Sequence, residues 1–142
     1  MNLPRVCVIG AGSSGFPVAR ALDEAGIPFD IYEMSDRVGG NWVFRNTNGV
    51  SSAYRSLHIN TSRKRMEYSA FPMPSDYPDF PSHDQIARYF ERYVDHFGLR
   101  EKITFRTKVE SCRRTEEGLW EVEVEPGGSR LYDALAVANG HH

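Results

Sequence analysis

The sequence predicts a three-layer α/β fold, with a parallel sheet carrying helices on one face and a β-meander on the other. Three observations predict it. A short apolar run, Val6-Cys7-Val8-Ile9, leads directly into a glycine-rich turn and then a helical pattern. That is the order of a strand–helix–strand unit with a buried parallel strand. A second helical stripe begins near residue 83. Beyond it, short alternating runs are separated by Glu116-Glu117-Gly118 and Pro126-Gly127-Gly128, the pattern of antiparallel strands joined by turns.

The elements follow in order. Residues 5–9 read as the first strand and 14–25 as a helix with Phe16, Ala19, Leu22 and Ala25 on its inner stripe, ended by Gly26. Pro17 falls in the first helical turn, where a missing N–H costs no intrahelical bond. Residues 29–33 are the second strand, and such a crossover is almost always right-handed. Residues 35–82 are rich in Gly, Asn, Ser, Pro and aromatics. A stretch that long without periodicity marks a functional or ligand-covering segment. A helix over 83–97 has Ser82 as N-cap and Gln85 at the capping-box position. Ile86, Tyr89, Phe90, Tyr93 and Phe97 line one of its faces, and Gly98 ends it. Residues 103–105 read as the next parallel strand. Residues 108–114, 119–125 and 130–132 form the meander, and 135–138 is a final buried strand.

The bulk numbers narrow the class. The chain has 142 residues, 40% hydrophobic and 25% charged, with a net charge of −2. One globular domain over 1–142 fits, and no long-range pull toward nucleic acid or an anionic membrane follows. The basic run Arg63-Lys64-Arg65 reads as a solvated loop. No apolar run is long enough to span a bilayer. The two cysteines, Cys7 and Cys112, are far apart and in strand-like surroundings, which fits a reducing, cytoplasmic setting and no zinc site. The five histidines fit neither HExxH nor a three-ligand set.

The chemistry sits in Gly10-Ala11-Gly12-Ser13-Ser14-Gly15. Backbone N–H groups at a helix N-terminus offer unpaired donors and a positive dipole end to a pyrophosphate. Gly10 permits the tight turn, Gly12 lets the phosphate approach the backbone, and Gly15 lets helix and strand pack closely. Ser13 and Ser14 supply amides in the same turn. Glu33 closes the second strand, about 20 residues on, where a carboxylate accepts from both ribose hydroxyls and repels a 2′-phosphate. This is a Rossmann-like dinucleotide-binding unit. Six positions later Gly39-Gly40 stands where a simple NAD domain would begin its next helix. The pair lets the backbone pass close to a ligand that extends beyond the pyrophosphate, which points to FAD.

Residues 6–40 resemble the N-terminal signature of two-dinucleotide-binding flavoproteins of the glutathione-reductase-like group. No cysteine pair follows Gly39-Gly40, so a dithiol mechanism is excluded. The segment Tyr54-Arg55-Ser56-Leu57-His58-Ile59-Asn60-Thr61-Ser62-Arg63, then Phe71-Pro72-Met73-Pro74, Tyr77-Pro78-Asp79-Phe80-Pro81 and Val137-Ala138-Asn139-Gly140-His141-His142, resembles the flavin-containing monooxygenases. The resemblance spans essentially the whole chain. It implies FAD bound along Arg37, Gly39, Gly40, Asn41 and Trp42, with Ala138 and Gly140 at the same ligand and the backbone of Val109 at the adenine. It implies Asn60 as the active-site residue facing the flavin. Trp42 also reads as a core aromatic, and Asn60 as a turn asparagine bonding its own backbone. In the family, reduced flavin forms a C4a-hydroperoxide that oxygenates soft nitrogen or sulfur nucleophiles, with NADPH held by a second Rossmann-like domain.

That second glycine turn and the family's FxGxxxH-type segment do not occur in these residues. The expectation is an FAD-binding portion that does not complete the NADPH-dependent cycle alone and whose partner is the C-terminal portion or a second copy. Self-association or disorder over 40–80 is expected with it. Two other readings stay open: an amine oxidase or Baeyer–Villiger-type relative, and a nucleotide-binding module without chemistry of its own.

Overall fold

The computed structural model describes residues 2–141. Strands β1 (Val6–Ile9), β2 (Phe29–Tyr32), β3 (Ile103–Thr104) and β7 (Ala134–Val137) form one parallel sheet in the order β3-β2-β1-β7. Strands β4 (Lys108–Arg114), β5 (Trp120–Glu125) and β6 (Gly128–Tyr132) form the antiparallel meander. The helices are α1 (Gly15–Glu24), the single turn α2 (Arg63–Met66) and α3 (His83–His96). The three-layer α/β architecture predicted from the sequence is the one observed.

The pleat of β1 explains the layers. Successive side chains on a strand point to opposite faces. Val6 and Val8 enter a core with Phe16, Ala19, Ile31, Ile86, Tyr89, Phe90, Tyr93 and Val94, the layer of α1 and α3. Cys7 enters a second core with Tyr32, Val122, Val124 and Tyr132, the layer of the meander. An apolar strand with both faces covered has no polar alternation, which is why 6–9 is a continuous apolar run.

The helix ends follow local chemistry. Ser82 and Gln85 make the reciprocal capping box, and Gly26 and Gly98 stop α1 and α3 in left-handed conformation. The inner stripe of α1 is shorter than predicted. Phe16 and Ala19 are buried and Leu22 is half-buried, but Ala25 is the exposed C-cap. The helix unwinds before Ala25 can turn inward.

The segment 35–82 has a defined course rather than the disorder expected over 40–80. A 3₁₀ turn at Gly40–Trp42 and the turn α2 punctuate it. Arg63 donates through Nη1 to the carbonyls of Pro74 and Ser75 at 2.9 and 2.8 Å. The amide of His83 donates to Leu57 O at 2.9 Å, and the amide of Ile59 to Pro81 O at 3.0 Å. Cross-segment bonds of this kind carry no periodic signature, so composition alone read the segment as loop.

A polar chain joins sheet to meander. Tyr132 donates its one phenolic proton to Asp30 at 2.6 Å, so Tyr32, 2.7 Å away, is the donor to Tyr132. Arg5 holds the other Asp30 oxygen at 2.8 Å. Burial first, and then Asp30, push the Tyr132 phenol well above its ordinary value, so it stays a donor. Beside this chain, burial pushes the Cys7 thiol up to about 12, with Asp30 adding to the shift, while Cys112 is exposed on β4. The thiolate is the reactive form. In the folded chain at pH 8, an alkylating reagent is therefore expected to modify Cys112 alone, with Cys7 reacting only after denaturation. Mass spectrometry of peptides alkylated before and after unfolding checks this.

Candidate functional site: a cleft at the carboxyl ends of the parallel strands

A cleft of about 660 Å³ opens where β1, β2 and β7 end. In open α/β sheets this is where ligands bind. One wall is the glycine turn between β1 and α1, with Gly10, Gly12, Ser13 and Ser14. A second is the 3₁₀ turn with Gly39, Gly40, Asn41 and Trp42. The floor takes Tyr32 and Glu33 from the end of β2, and the far side takes Thr107, Lys108 and Val109. Ala138, Asn139, Gly140 and His141 complete the rim.

The glycines do what backbone proximity demands. A Cβ at Gly15 would fall onto the carbonyl oxygen of Gly10, and one at Gly10 would sit 2.5 Å from Ala138 O. Gly10 also has φ +96°, which side chains rarely adopt. Turn, helix and β7 therefore meet backbone to backbone. Gly12 is different. A Cβ there would lie 3.8 Å from the Cα of Gly40 in ordinary contact. The two glycine segments meet main chain to main chain here, with the amide of Gly39 donating to Ala11 O at 3.1 Å, and both face the cleft.

The donors of the turn divide cleanly. The amide of Gly10 bonds Tyr32 O at 2.8 Å, and the amide of Ala11 bonds Glu33 Oε1 at 2.9 Å. Among the described residues, the amides of Gly12, Ser13 and Ser14 have no acceptor in the chain. They stand at the N-terminus of α1, where the helix dipole adds the equivalent of about half a positive charge. The side chain of its N-cap, Ser14, makes no capping bond. The fit to an anionic diphosphate rests on these three amides and on the missing side chain at Gly12.

Glu33 is 5% exposed, and both of its oxygens are engaged. Oε1 accepts from Ala11, and Oε2 accepts from the amide of Ser35 at 2.8 Å. Each carboxylate oxygen keeps a further lone pair for a hydroxyl. The strand end that carries Glu33 is laced to the start of the meander. The amide of Glu33 bonds Thr104 O at 2.9 Å, the amide of Thr107 bonds Glu33 O at 3.0 Å, and the amide of Arg106 bonds Ser35 O at 2.9 Å.

Asn41 ties the 3₁₀ turn to the rim, donating through Nδ2 to His141 O at 2.7 Å. Its Oδ1 is buried without a partner, an acceptor left for a donor on a ligand. The backbone carbonyls of this turn are also held, since Asn46 donates to Gly40 O at 3.1 Å and Ser51 to Asn41 O at 3.1 Å.

The structure gathers most of the predicted positions into the cleft wall: Gly10, Gly12, Ser13, Ser14, Glu33, Gly39, Gly40, Asn41, Trp42, Val109, Ala138 and Gly140. Gly15 lies just behind, under Gly10. Arg37 and Asn60 are not in the wall. Arg37 reaches toward Asp36 at 3.8 Å, and Asn60 is exposed on the loop before α2. Sequence reasoning missed Met34, Asn48, Thr107 and Lys108, which also line the cleft. The pairing of 33–35 with 104–107 brings Thr107 and Lys108 there, and no local pattern announces that pairing. His142 lies outside the described residues. Among the described residues no His, Cys, Asp and Glu side chains cluster to hold a metal, and no helix is long and apolar enough to cross a membrane.

These features define a nucleotide-binding α/β domain with a site for an extended dinucleotide. The flavin-binding monooxygenase-like family model matches residues 4–142, and the chain belongs to that family. Flavin-containing monooxygenase 5 of Oryctolagus cuniculus is 37% identical over 97% of this chain and 28% of its own length. Dimethylaniline monooxygenase [N-oxide-forming] 2 of Pan troglodytes is 34% identical with the same coverage. The chain thus spans a little over a quarter of these curated relatives. Among solved structures, S-allyl-L-cysteine S-oxygenase from Allium sativum superposes with a TM-score of 0.90 at 26% identity, covering 99% of this chain and 37% of that one. Oxidized steroid monooxygenase bound to NADP gives 0.84 at 26% identity, covering 99% and 26%.

Glu33→Ala removes the acceptor of two amides at once. It is expected to destabilise the folded chain by about 1–3 kcal/mol, read as a shift of the urea midpoint at unchanged slope.

Proposed function

We propose that this chain binds FAD in the cleft, as the cofactor-binding portion of an NADPH-using monooxygenase that oxygenates soft nitrogen or sulfur nucleophiles. The observation that carries the proposal is the row of three unpaired amides on a cleft whose wall continues from the glycine turn to Gly39 and Gly40. The amides of Gly12, Ser13 and Ser14 take the pyrophosphate. Glu33 takes the ribose hydroxyls of the adenosine half, and the main chain of Val109 meets the adenine. Ala138 and Gly140 complete the nucleotide side of the site, and Arg37, outside the cleft wall, is assigned to it on the family match alone.

The other half of the cofactor runs past Gly39, Gly40, Asn41 and Trp42. Bound FAD supplies the redox chemistry by which dioxygen is activated. The chain's own residues bind and orient it: Gly39 and Gly40 admit its backbone, and the buried Oδ1 of Asn41 accepts from one of its donors. Asn60 is assigned to the reacting end on the family match of 57–60. The preference for nitrogen or sulfur is supported by the names of the relatives, one an N-oxide-forming monooxygenase and one an S-oxygenase. NADPH is assigned to a second dinucleotide-binding domain, in keeping with the steroid monooxygenase solved with NADP. That C-terminal portion, or a second copy of the chain, is the proposed protein partner.

Gly12→Ala tests the site. Gly12 lies outside the left-handed region, and a Cβ there meets nothing closer than 3.8 Å, so the variant is expected to fold with an unchanged melting temperature. Its methyl group stands beside the three amides on the cleft wall. FAD affinity, followed by quenching of flavin fluorescence, is expected to fall more than about tenfold, or about 1.4 kcal/mol. Equal affinity in variant and wild type would place the cofactor elsewhere.

A further inference from the structure

Tyr68 lies in the aperiodic segment, outside the cleft wall, yet its hydroxyl donates to the carbonyl oxygen of Ser13 in the glycine turn. Nothing about the cleft requires a tyrosine there. Its ring packs edge-on against Phe16, in the first turn of α1, with centroids 5.8 Å apart, and against Tyr93 of α3 at 5.0 Å. Its own amide donates to the hydroxyl of Tyr89 at 2.9 Å, and Tyr89 in turn donates to Phe71 O. Backbone and ring are both held by α3, so the hydroxyl arrives at Ser13 from a fixed platform.

The consequence comes from peptide geometry. The Ser13–Ser14 peptide is planar and trans, so its C=O and N–H point in opposite directions. A donor that holds the Ser13 oxygen from behind the turn fixes the Ser14 N–H pointing forward. Ser14 lines the cleft, and its amide has no acceptor in the chain. Donation to the oxygen also polarises the same peptide and strengthens its N–H as a donor.

We infer that Tyr68 is a positioning residue for diphosphate binding: by holding the Ser13 carbonyl it aims and strengthens the Ser14 amide that meets the ligand. This rests on reading the cleft as the pyrophosphate site of FAD. Burial pushes the Tyr68 phenol above its ordinary value, so the donor persists through the neutral and mildly alkaline range. The aperiodic segment thereby has a second job besides covering the cleft, since it buttresses the phosphate turn from behind.

Tyr68→Phe keeps the ring and its packing and deletes the hydroxyl alone. The test uses the 142-residue chain, with ADP as a diphosphate probe and adenosine as the probe that lacks phosphate, both followed by amide NMR. In the variant, ADP affinity is expected to fall about five- to tenfold, the worth of roughly one hydrogen bond. Adenosine affinity is expected to stay unchanged. The downfield shift of the Ser14 amide proton on adding ADP is expected to shrink, while the rest of the spectrum reports an intact fold. Equal ADP affinity with an unchanged Ser14 shift would overturn the inference while leaving the cleft reading in place. An equal loss for ADP and adenosine would also overturn it, because that marks a general packing effect. A wild-type chain that binds neither probe would overturn the cleft reading and this inference with it.

Discussion

The carboxylate of Glu33 sits at the end of β2 with almost no exposed surface, and a charge in that position is costly unless its oxygens are bonded. The chain answers with two backbone amides, Ala11 from the glycine turn and Ser35 from the loop that leads to Gly39. The two walls of the cleft are therefore referred to one side chain. If the turn moved, Ala11 would lose its acceptor; if the loop moved, Ser35 would. The strand end is fixed in turn by Thr104 of β3 and by Thr107, just before the meander. A site for an extended ligand needs its walls held at a set separation before the ligand arrives, and here one buried carboxylate supplies that reference.

The layers impose the second constraint. Because β1 is covered on both faces, its four residues divide between two cores of unlike character. The α-side core is aromatic, with Phe16, Tyr89, Phe90 and Tyr93 in mutual contact. The meander-side core is small and contains the Tyr32–Tyr132–Asp30–Arg5 chain. The aromatic core reaches the phosphate turn through Phe16, and the polar chain reaches the cleft floor through Tyr32. Both layers thus touch the site, which explains how residues as distant in sequence as Tyr68 and Tyr132 come to support one binding surface.

Legibility followed the range of the signals. The turn at 10–15, the strand before it, the cap at Ser82 and the glycines that end α1 and α3 are local in sequence, and each was readable because its cause lies within a few residues. Glu33 was readable as a carboxylate of the site from its spacing after the turn, and it lines the cleft. Its grip on Ala11 and Ser35 was not, since a backbone amide carries no residue identity. Thr107 and Lys108 reach the cleft only through pairing across some seventy positions between β2 and β3. The α2 turn escaped notice for a related reason: four residues, tied to 74, 75 and 79 through Arg63, have too short a stripe to show a period.

The glycine turn alone selects a dinucleotide, and the fold alone selects nothing finer. What separates an extended flavin dinucleotide from a simple nicotinamide one is the second glycine pair. In a plain nicotinamide domain the chain after the ribose carboxylate would enter a helix and close the cleft behind the pyrophosphate. Here Gly39 and Gly40 both take left-handed backbone, at φ +120° and +55°, and turn the chain into a short 3₁₀ coil facing Gly12. Neither conformation suits a residue with a side chain, and a Cβ at Gly39 would meet Val43 at 2.9 Å. The cleft wall therefore runs on past the glycine turn to Asn41 and Trp42. A wall extended in this way gives a ligand longer than an adenine nucleotide backbone and side chains to lie along.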